Sequence, residues 1–367
     1  MPLPLLPGRM DVMDLQHLNV EVRGNLKLAF PLVLRISATI ILIAGFAFSS
    51  ASSMADTQII AHRGASAYLP EHTFEAYLLA YGQGADFIEP DLVMTADGHL
   101  IAMHDLTLEA TTNVAEVFPD RAREDGRFFA LDFTLKELRR LKVSERIEAD
   151  TGKARFPDRW PPGLGEFRIV AFEDLVIWLR ELNRATGRRV GLYPETKFPA
   201  FHAEAGFDIA GTLIEVLLRH DLPDADMPIF IQSFEPEPLE RIRSQHGDRF
   251  ALIQLIGDNK WEMNAVDYQA MTSSKGLAHV ASYAAGIGPP LNALIETDGA
   301  GQPRPSSLFQ SARRLNLAIH PFTFRREGLP AGRSLESLLD LFIHELAIDG
   351  LFTDHPDVAV QRRALAP

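Results

Sequence analysis

The strongest constraint on this chain is an alternation that runs along most of its length. Short apolar runs that read as strands are each followed by a stretch of helical periodicity. The strand candidates are Gln58–His62, Phe87–Met94, Val190–Glu195, Ile229–Ser233, Phe250–Leu255, Gly286–Gly288, Leu317–Phe322 and Gly350–Thr353. Helical patterns lie between most of them, among them Thr73–Gln83, Phe172–Ala185, Phe207–His220, Pro238–His246, Pro305–Asn316 and Leu335–Glu345. Helix starts look capped, with Glu75 following His72-Thr73 and Glu336 following Ser334. Alternating strand and helix implies a parallel sheet. Eight strands favour an α/β fold of the closed (β/α)₈ TIM-barrel kind over an open sheet.

Two places break the alternation. Asp97-Gly98 lies between apolar pairs and signals a hairpin, so the second unit begins with an antiparallel excursion. The segment 106–167 that follows is long, charged and rich in Pro and Gly, with one convincing helix at Thr134–Leu141. A long insertion after the second barrel strand is expected to form a lid or substrate wall. The tetrapeptide Phe-Pro-Asp-Arg occurs in it twice, at Phe118–Arg121 and Phe156–Arg159, and reads as coincidence rather than as a repeat. A second polar insertion, Gly257 to Lys275, carries Trp261.

Residues 1–55 stand apart from this pattern. Arg23, Lys27 and Arg35 precede the apolar run Ile36 to Phe48, and small residues then lead to Ser53-Met54-Ala55. That order is expected of a secretory signal cleaved near Ala55. The uninterrupted apolar run is short for a membrane span. The expectation is therefore a periplasmic or secreted protein with no stable membrane anchor after processing, and one domain over 56–367. The absence of cysteine rules out disulfides and thiolate chemistry and suits an oxidising compartment. A formal net charge of −13 argues against nucleic acid as a partner, since such a binder needs a basic face.

Chemistry-bearing residues collect at the ends of the strand candidates, as on a barrel's catalytic rim. Glu89 and Asp91 are two apart on a strand and face the same way. Pro90 between them has no N–H to give the ladder and is expected at the strand's end. Converging carboxylates repel unless a cation lies between them, and their oxygens suit Ca²⁺ or Mg²⁺. Glu195 repeats the arrangement after Pro194. His62 and His104 each end an apolar run beside charged residues, and imidazole can both take and give a proton near neutral pH. No cluster of imidazoles has zinc spacing. Arg63 and Lys197 suit a phosphate cradle, a salt bridge to Glu89 being the lesser alternative for Lys197. Gln232 could orient a ligand. Phe322 and Phe324, in His320-Pro321-Phe322-Thr323-Phe324-Arg325, are candidates for wall or core, with Phe324 taken as a substrate contact.

Together these residues resemble the glycerophosphodiester phosphodiesterase family. His62-Arg63-Gly64, Pro70-Glu71-His72-Thr73, Glu89-x-Asp91 and His104-Asp105 follow its signature order. Pro194-Glu195-x-Lys197, Gln232-Ser233-Phe234, His320-Pro321-Phe322-Thr323 and Asp349 to Asp354 continue it. The insertion with Phe118-Pro119-Asp120-Arg121 is similar to that of the exported bacterial type. His72 stands where many members have asparagine. The resemblance implies a barrel enzyme that converts glycerophosphodiesters, small-molecule headgroups of deacylated phospholipids, to glycerol 3-phosphate and an alcohol. It implies that Glu89, Asp91 and Glu195 hold a divalent ion, Ca²⁺ in exported members. It makes His62 and His104 the acid/base pair, in either order, and Arg63 and Lys197 the phosphate ligands. The glycerol's own 2-hydroxyl would attack phosphorus, and water would open the cyclic phosphate. The rival readings are a lyase on the same barrel, a metal-free glycosidase, and a binding protein without turnover.

Overall fold

The computed structural model describes residues 56–365 apart from 149, 225, 262, 263, 300, 301, 330 and 331. The expected signal, residues 1–55, lies outside the described residues.

Eight parallel strand positions close into a barrel. The first is Gln58–His62. The second comes in two pieces, Phe87–Glu89 and Asp91–Met94, and so does the third, Gly191–Leu192 and Glu195–Thr196. Phe230–Ser233, Ala251–Leu255, Gly286–Gly288, Ala318–Ile319 and Gly350–Thr353 complete the series. The first strand pairs in parallel with both the eighth and the second. The seventh meets the eighth through Phe352 N donating to Pro321 O at 3.0 Å and Phe324 N to Phe352 O at 2.8 Å, which closes the ring.

The breaks in the second and third strands fall at Pro90 and Pro194. Neither can donate, yet both still accept, Pro90 O from Glu195 N at 2.9 Å and Pro194 O from Gln232 N at 3.0 Å. Pro90 thus interrupts its strand instead of ending it. The strand continues into an antiparallel pair with Leu100–Ala102, across the turn expected at Asp97-Gly98. A further antiparallel pair, Ile295–Thr297 with Pro303–Pro305, follows the sixth strand and carries no clear alternation in the sequence.

Inside the barrel, immediately below the catalytic rim, sits a layer of rings. Tyr193 stacks on Phe230 at 4.9 Å between centroids and meets Phe352 edge-on at 5.0 Å, while Phe87 meets Phe230 at 5.1 Å. Each such ring contributes about 1.5–3 kcal/mol by leaving water. Because Phe87, Tyr193 and Phe230 each lie two residues before Glu89, Glu195 and Gln232, the period of two aims those polar groups up from this floor.

The insertion forms a separate apolar cluster. Leu108, Val114, Phe128, Phe133, Leu138, Leu141, Val143 and Phe167 pack on Val93, Ile101 and Met103 of the hairpin. The helix expected at Thr134–Leu141 is shorter, Leu135–Leu138, with Thr134 and Glu137 in a reciprocal capping box. Among the described residues no helix is long and apolar enough to cross a membrane.

Candidate active site

Register brings the polar residues together. His62 lies opposite Glu89, Asp91 opposite Glu195, and Glu195 opposite Gln232 on successive parallel strands. The chain then turns sharply after the first strand. Arg63 has φ 60° and Gly64 φ 88°, and a Cβ added to Gly64 would stand 2.8 Å from the Ala76 backbone. A left-handed arginine is strained, and the strain is held where the Arg63 N–H donates to Glu89 Oε2 at 2.7 Å.

Glu89, Asp91 and Glu195 each present an oxygen within 4.8 Å of the others. They are 1%, 1% and 6% exposed, so water does not screen them. Asp91 faces Arg63 Nε at 3.2 Å, accepts from His72 Nε2–H at 3.0 Å, and lies 3.8 Å from Lys197 Nζ. Those neighbours overcome the cost of burial and hold its carboxyl well below the usual range. Glu195 has Lys197 Nζ at 2.7 Å. Among the described residues, Glu89 accepts only from the Arg63 amide, at 2.7 Å, and the Gln232 side chain, at 3.2 Å. Burial, then the charges of Asp91 and Glu195, push Glu89 well above its ordinary value, and burial pushes Glu195 up to about 8. Two side-chain cations for three buried carboxylates leave negative charge uncompensated, and an all-oxygen donor set of this kind fits a hard divalent ion.

The two imidazoles are built alike. His62 Nδ1 lies 2.6 Å from Asp354 Oδ1, and His104 Nδ1 lies 2.6 Å from Asp105 Oδ1. An ionised carboxylate accepts from Nδ1–H, which leaves Nε2 as the working nitrogen on each ring. Burial and then the Arg63 charge lower His62, while burial, Arg63 and Lys197 lower His104 to about 3. Burial would raise the Asp354 carboxyl, but the His62 ring and Arg159 overcome it and hold it far down.

His62, Arg63, Glu89, His104, Glu195, Lys197 and Gln232 all line one cavity of about 350 Å³ at the C-terminal ends of the strands. Phe234, Trp261 and Phe322 supply an apolar side to it. Phe324, expected at the substrate, is not there. It is fully buried and meets Phe342 edge-on at 5.2 Å. The chain leaves regular strand after Ile319, so the two-residue alternation that would align Phe322 with Phe324 lapses. Phe322 bridges to Pro290 and Phe324 to Thr353 on the opposite side. Lys197, whose alternative partner was Glu89, pairs with Glu195 instead.

Several groups in the site were not assigned roles from the sequence. Glu71 is shared by Arg63, at 3.2 Å, and Arg146, at 2.6 Å. Arg146 also pairs with Asp105, and Arg159 with Asp354 at 2.6 Å and Glu327 at 2.7 Å. Arg159 belongs to the second Phe-Pro-Asp-Arg. Its counterpart Arg121 stays within the insertion, with Glu137 at 2.8 Å, so the two copies do unrelated things.

A closed parallel barrel with carboxylates, imidazoles and cations converging at its C-terminal mouth defines a barrel enzyme. The chain belongs to the glycerophosphoryl diester phosphodiesterase family, whose model matches residues 62–358. It is 36% identical over 341 residues to a glycerophosphodiester phosphodiesterase of Haemophilus influenzae, covering 85% of this chain and 93% of that protein. It is 32% identical over 340 residues to one of Treponema pallidum, covering 86% and 94%. Among solved structures it is similar to a phosphodiesterase of Oleispira antarctica in complex with the product sn-glycerol-3-phosphate. The TM-score is 0.55 at 20% identity, over 83% of this chain and 96% of that one, a likeness of fold.

Proposed function

We propose that this enzyme hydrolyses glycerophosphodiesters to glycerol 3-phosphate and an alcohol. One observation carries the reading. Two carboxylate-backed imidazoles, two cations and two carboxylates line a single cavity, with Asp91 crowded against those carboxylates, in a chain related over most of its length to named glycerophosphodiester phosphodiesterases.

The chemistry follows from the groups present. Arg63 and Lys197 sit where a phosphodiester anion can be bound and its charge offset. One imidazole takes the proton of the attacking hydroxyl as the new P–O bond forms. The other protonates the alkoxide as the old P–O bond breaks. Such acid–base help is worth about 10²–10⁴-fold. The attacking oxygen is the glycerol 2-hydroxyl, already tethered to phosphorus, which gains from proximity. The same imidazoles, with roles exchanged, then assist water in opening the cyclic phosphate. Glu89, Asp91 and Glu195 would hold a divalent ion, which would supply further positive charge to offset the phosphate. Ca²⁺ is the proposed ion, with Mg²⁺ the alternative the same oxygens admit.

The basic, apolar, small-residue order of residues 1–55 supports export and cleavage near Ala55. N-terminal sequencing of the protein recovered outside the cytoplasm should begin at Asp56, and a sequence that retains Ile36–Phe48 would overturn this.

The activity is tested by incubating the protein with glycerophosphocholine under added Ca²⁺, added Mg²⁺ or chelator. Release of glycerol 3-phosphate, silenced by chelator, is expected. Accumulation of a stable cyclic product would indicate the lyase reading, and intact substrate a binding protein.

A further inference from the structure

The insertion, expected as a lid or substrate wall, contributes none of the described residues that line the cavity, yet it reaches the groups behind them. Two of its arginines leave its own apolar cluster and reach into the site from different directions. The Arg159 side chain is 5% exposed and holds Asp354, whose side chain is 2% exposed, at 2.6 Å. It also grips Glu327 with two nitrogens, at 2.7 and 2.9 Å, and donates to Ser66 O at 3.2 Å. One guanidinium thus ties together the loops after the first, seventh and eighth strands. Arg146 pairs with Asp105 and forks onto Glu71 at 2.6 and 3.2 Å, and Glu71 in turn contacts Arg63 at 3.2 Å. Asp354 and Asp105 are the carboxylates that orient His62 and His104. Each therefore has one oxygen on an imidazole and the other on an insertion arginine.

That division of oxygens has a mechanical consequence. A carboxylate held by one bond can swing about its Cβ–Cγ axis, and the ring it orients swings with it. A planar guanidinium on the second oxygen fixes that axis, and its fork geometry does so better than an ammonium can. We propose that Arg146 and Arg159 are positioning residues which lock Asp105 and Asp354, so that the insertion completes the acid/base pair. The proposal rests on the acid/base reading of His62 and His104.

The test uses the full-length enzyme with Arg146→Lys, Arg146→Ala, Arg159→Lys and Arg159→Ala, and Arg123→Met as the control. Arg123 pairs with Asp132 on the exposed face of the insertion and touches nothing in the site. Loss of an outer hydrogen-bond partner typically costs about 10–100-fold. A fall in kcat of that order is expected for the Ala variants, with KM within about threefold. Millimolar guanidinium should restore part of the kcat of the Ala variants, and the Lys variants, which keep the charge but lose the fork, should stay impaired while folded. Arg123→Met should keep its kcat. The proposal is overturned if folded Lys variants turn over normally, if KM rises while kcat holds, or if Arg123→Met loses as much as the Ala variants. His62→Ala and His104→Ala, run alongside, separate the two failures. If they retain activity, the acid/base reading itself is wrong. If they alone lose it, only the role of the arginines is.

Discussion

Asp91 and Glu195 are direct register partners on neighbouring parallel strands, each one residue beyond a proline. Their carboxylates meet Glu89 within 4.8 Å in a place shielded from water. This is a poor arrangement for a protein without a cation and a good one for a protein with it, and it yields the first expectation.

Glu195→Gln and Glu89→Gln each take one ionisable carboxyl out of the crowded trio. In chelator above about pH 8, where Glu195 gives up its proton in the fold, Glu195→Gln should raise Tm, since like-charge repulsion between buried groups is relieved. Activity should need far more Ca²⁺ or be lost. A calcium titration identical to that of the parent would remove the altered residue from the ligand set.

A pH dependence of stability follows from the same crowding. Glu195 titrates near 8 in the fold, far above its ordinary carboxyl value, so between those limits the folded chain holds a proton that the unfolded chain has released. Stability from this group is therefore lost as pH rises toward 8. Glu145, pushed up to about 8 by burial and Glu71, has the same sign. The lowered His62 and His104 act oppositely, but only below about 6.5, the ordinary imidazole value. Thermal melts in chelator should fall in Tm from pH 6.5 to 8.5. With saturating Ca²⁺ the slope should flatten to what Glu145 leaves. Parallel slopes in the two conditions would mean that the trio binds no ion.

His62→Ala and His104→Ala should each lower kcat by about 10²-fold or more with circular dichroism unchanged. Near-native turnover in either variant would break the assignment.

Phe322 and Phe324 separate binding from packing. Phe324→Ala empties a fully buried site and should cost about 3–5 kcal/mol in urea denaturation, with KM held in the protein that remains folded. Phe322→Ala should raise KM with a smaller loss of stability. The reverse pattern would place Phe324 at the substrate after all.

Gly64→Ala should be damaging out of proportion to its size. The left-handed φ costs about 1–2 kcal/mol for a residue with a Cβ, and the added atom would press on the Ala76 backbone. Both effects displace Arg63, so kcat/KM and stability should fall together. A variant with normal kinetics would show that the turn adapts.

Local rules carried much of this protein. Alternation of periods gave the barrel, and three strands matched residue for residue, Gln58–His62, Gly286–Gly288 and Gly350–Thr353. Parity along a strand was enough to put Glu89 and Asp91 on one face, and strand ends were enough to mark His62, Glu195 and Gln232. Where the backbone leaves regular strand, parity has no force, and Phe324 turned into the core although Phe322 did not.

What the amino-acid sequence determined by itself was which groups stand at the rim, because that depends only on neighbours one or two residues away. What the tertiary structure decided was how those groups are held. Arg159 meets Asp354 across 195 residues of chain and Arg146 meets Glu71 across 75. Such partners are chosen by closure of the barrel and by where the insertion packs, neither of which leaves a period or a motif along the chain. Charged residues in a long loop look alike until the fold buries some of them, and burial is what turns an ordinary arginine into a fixed one.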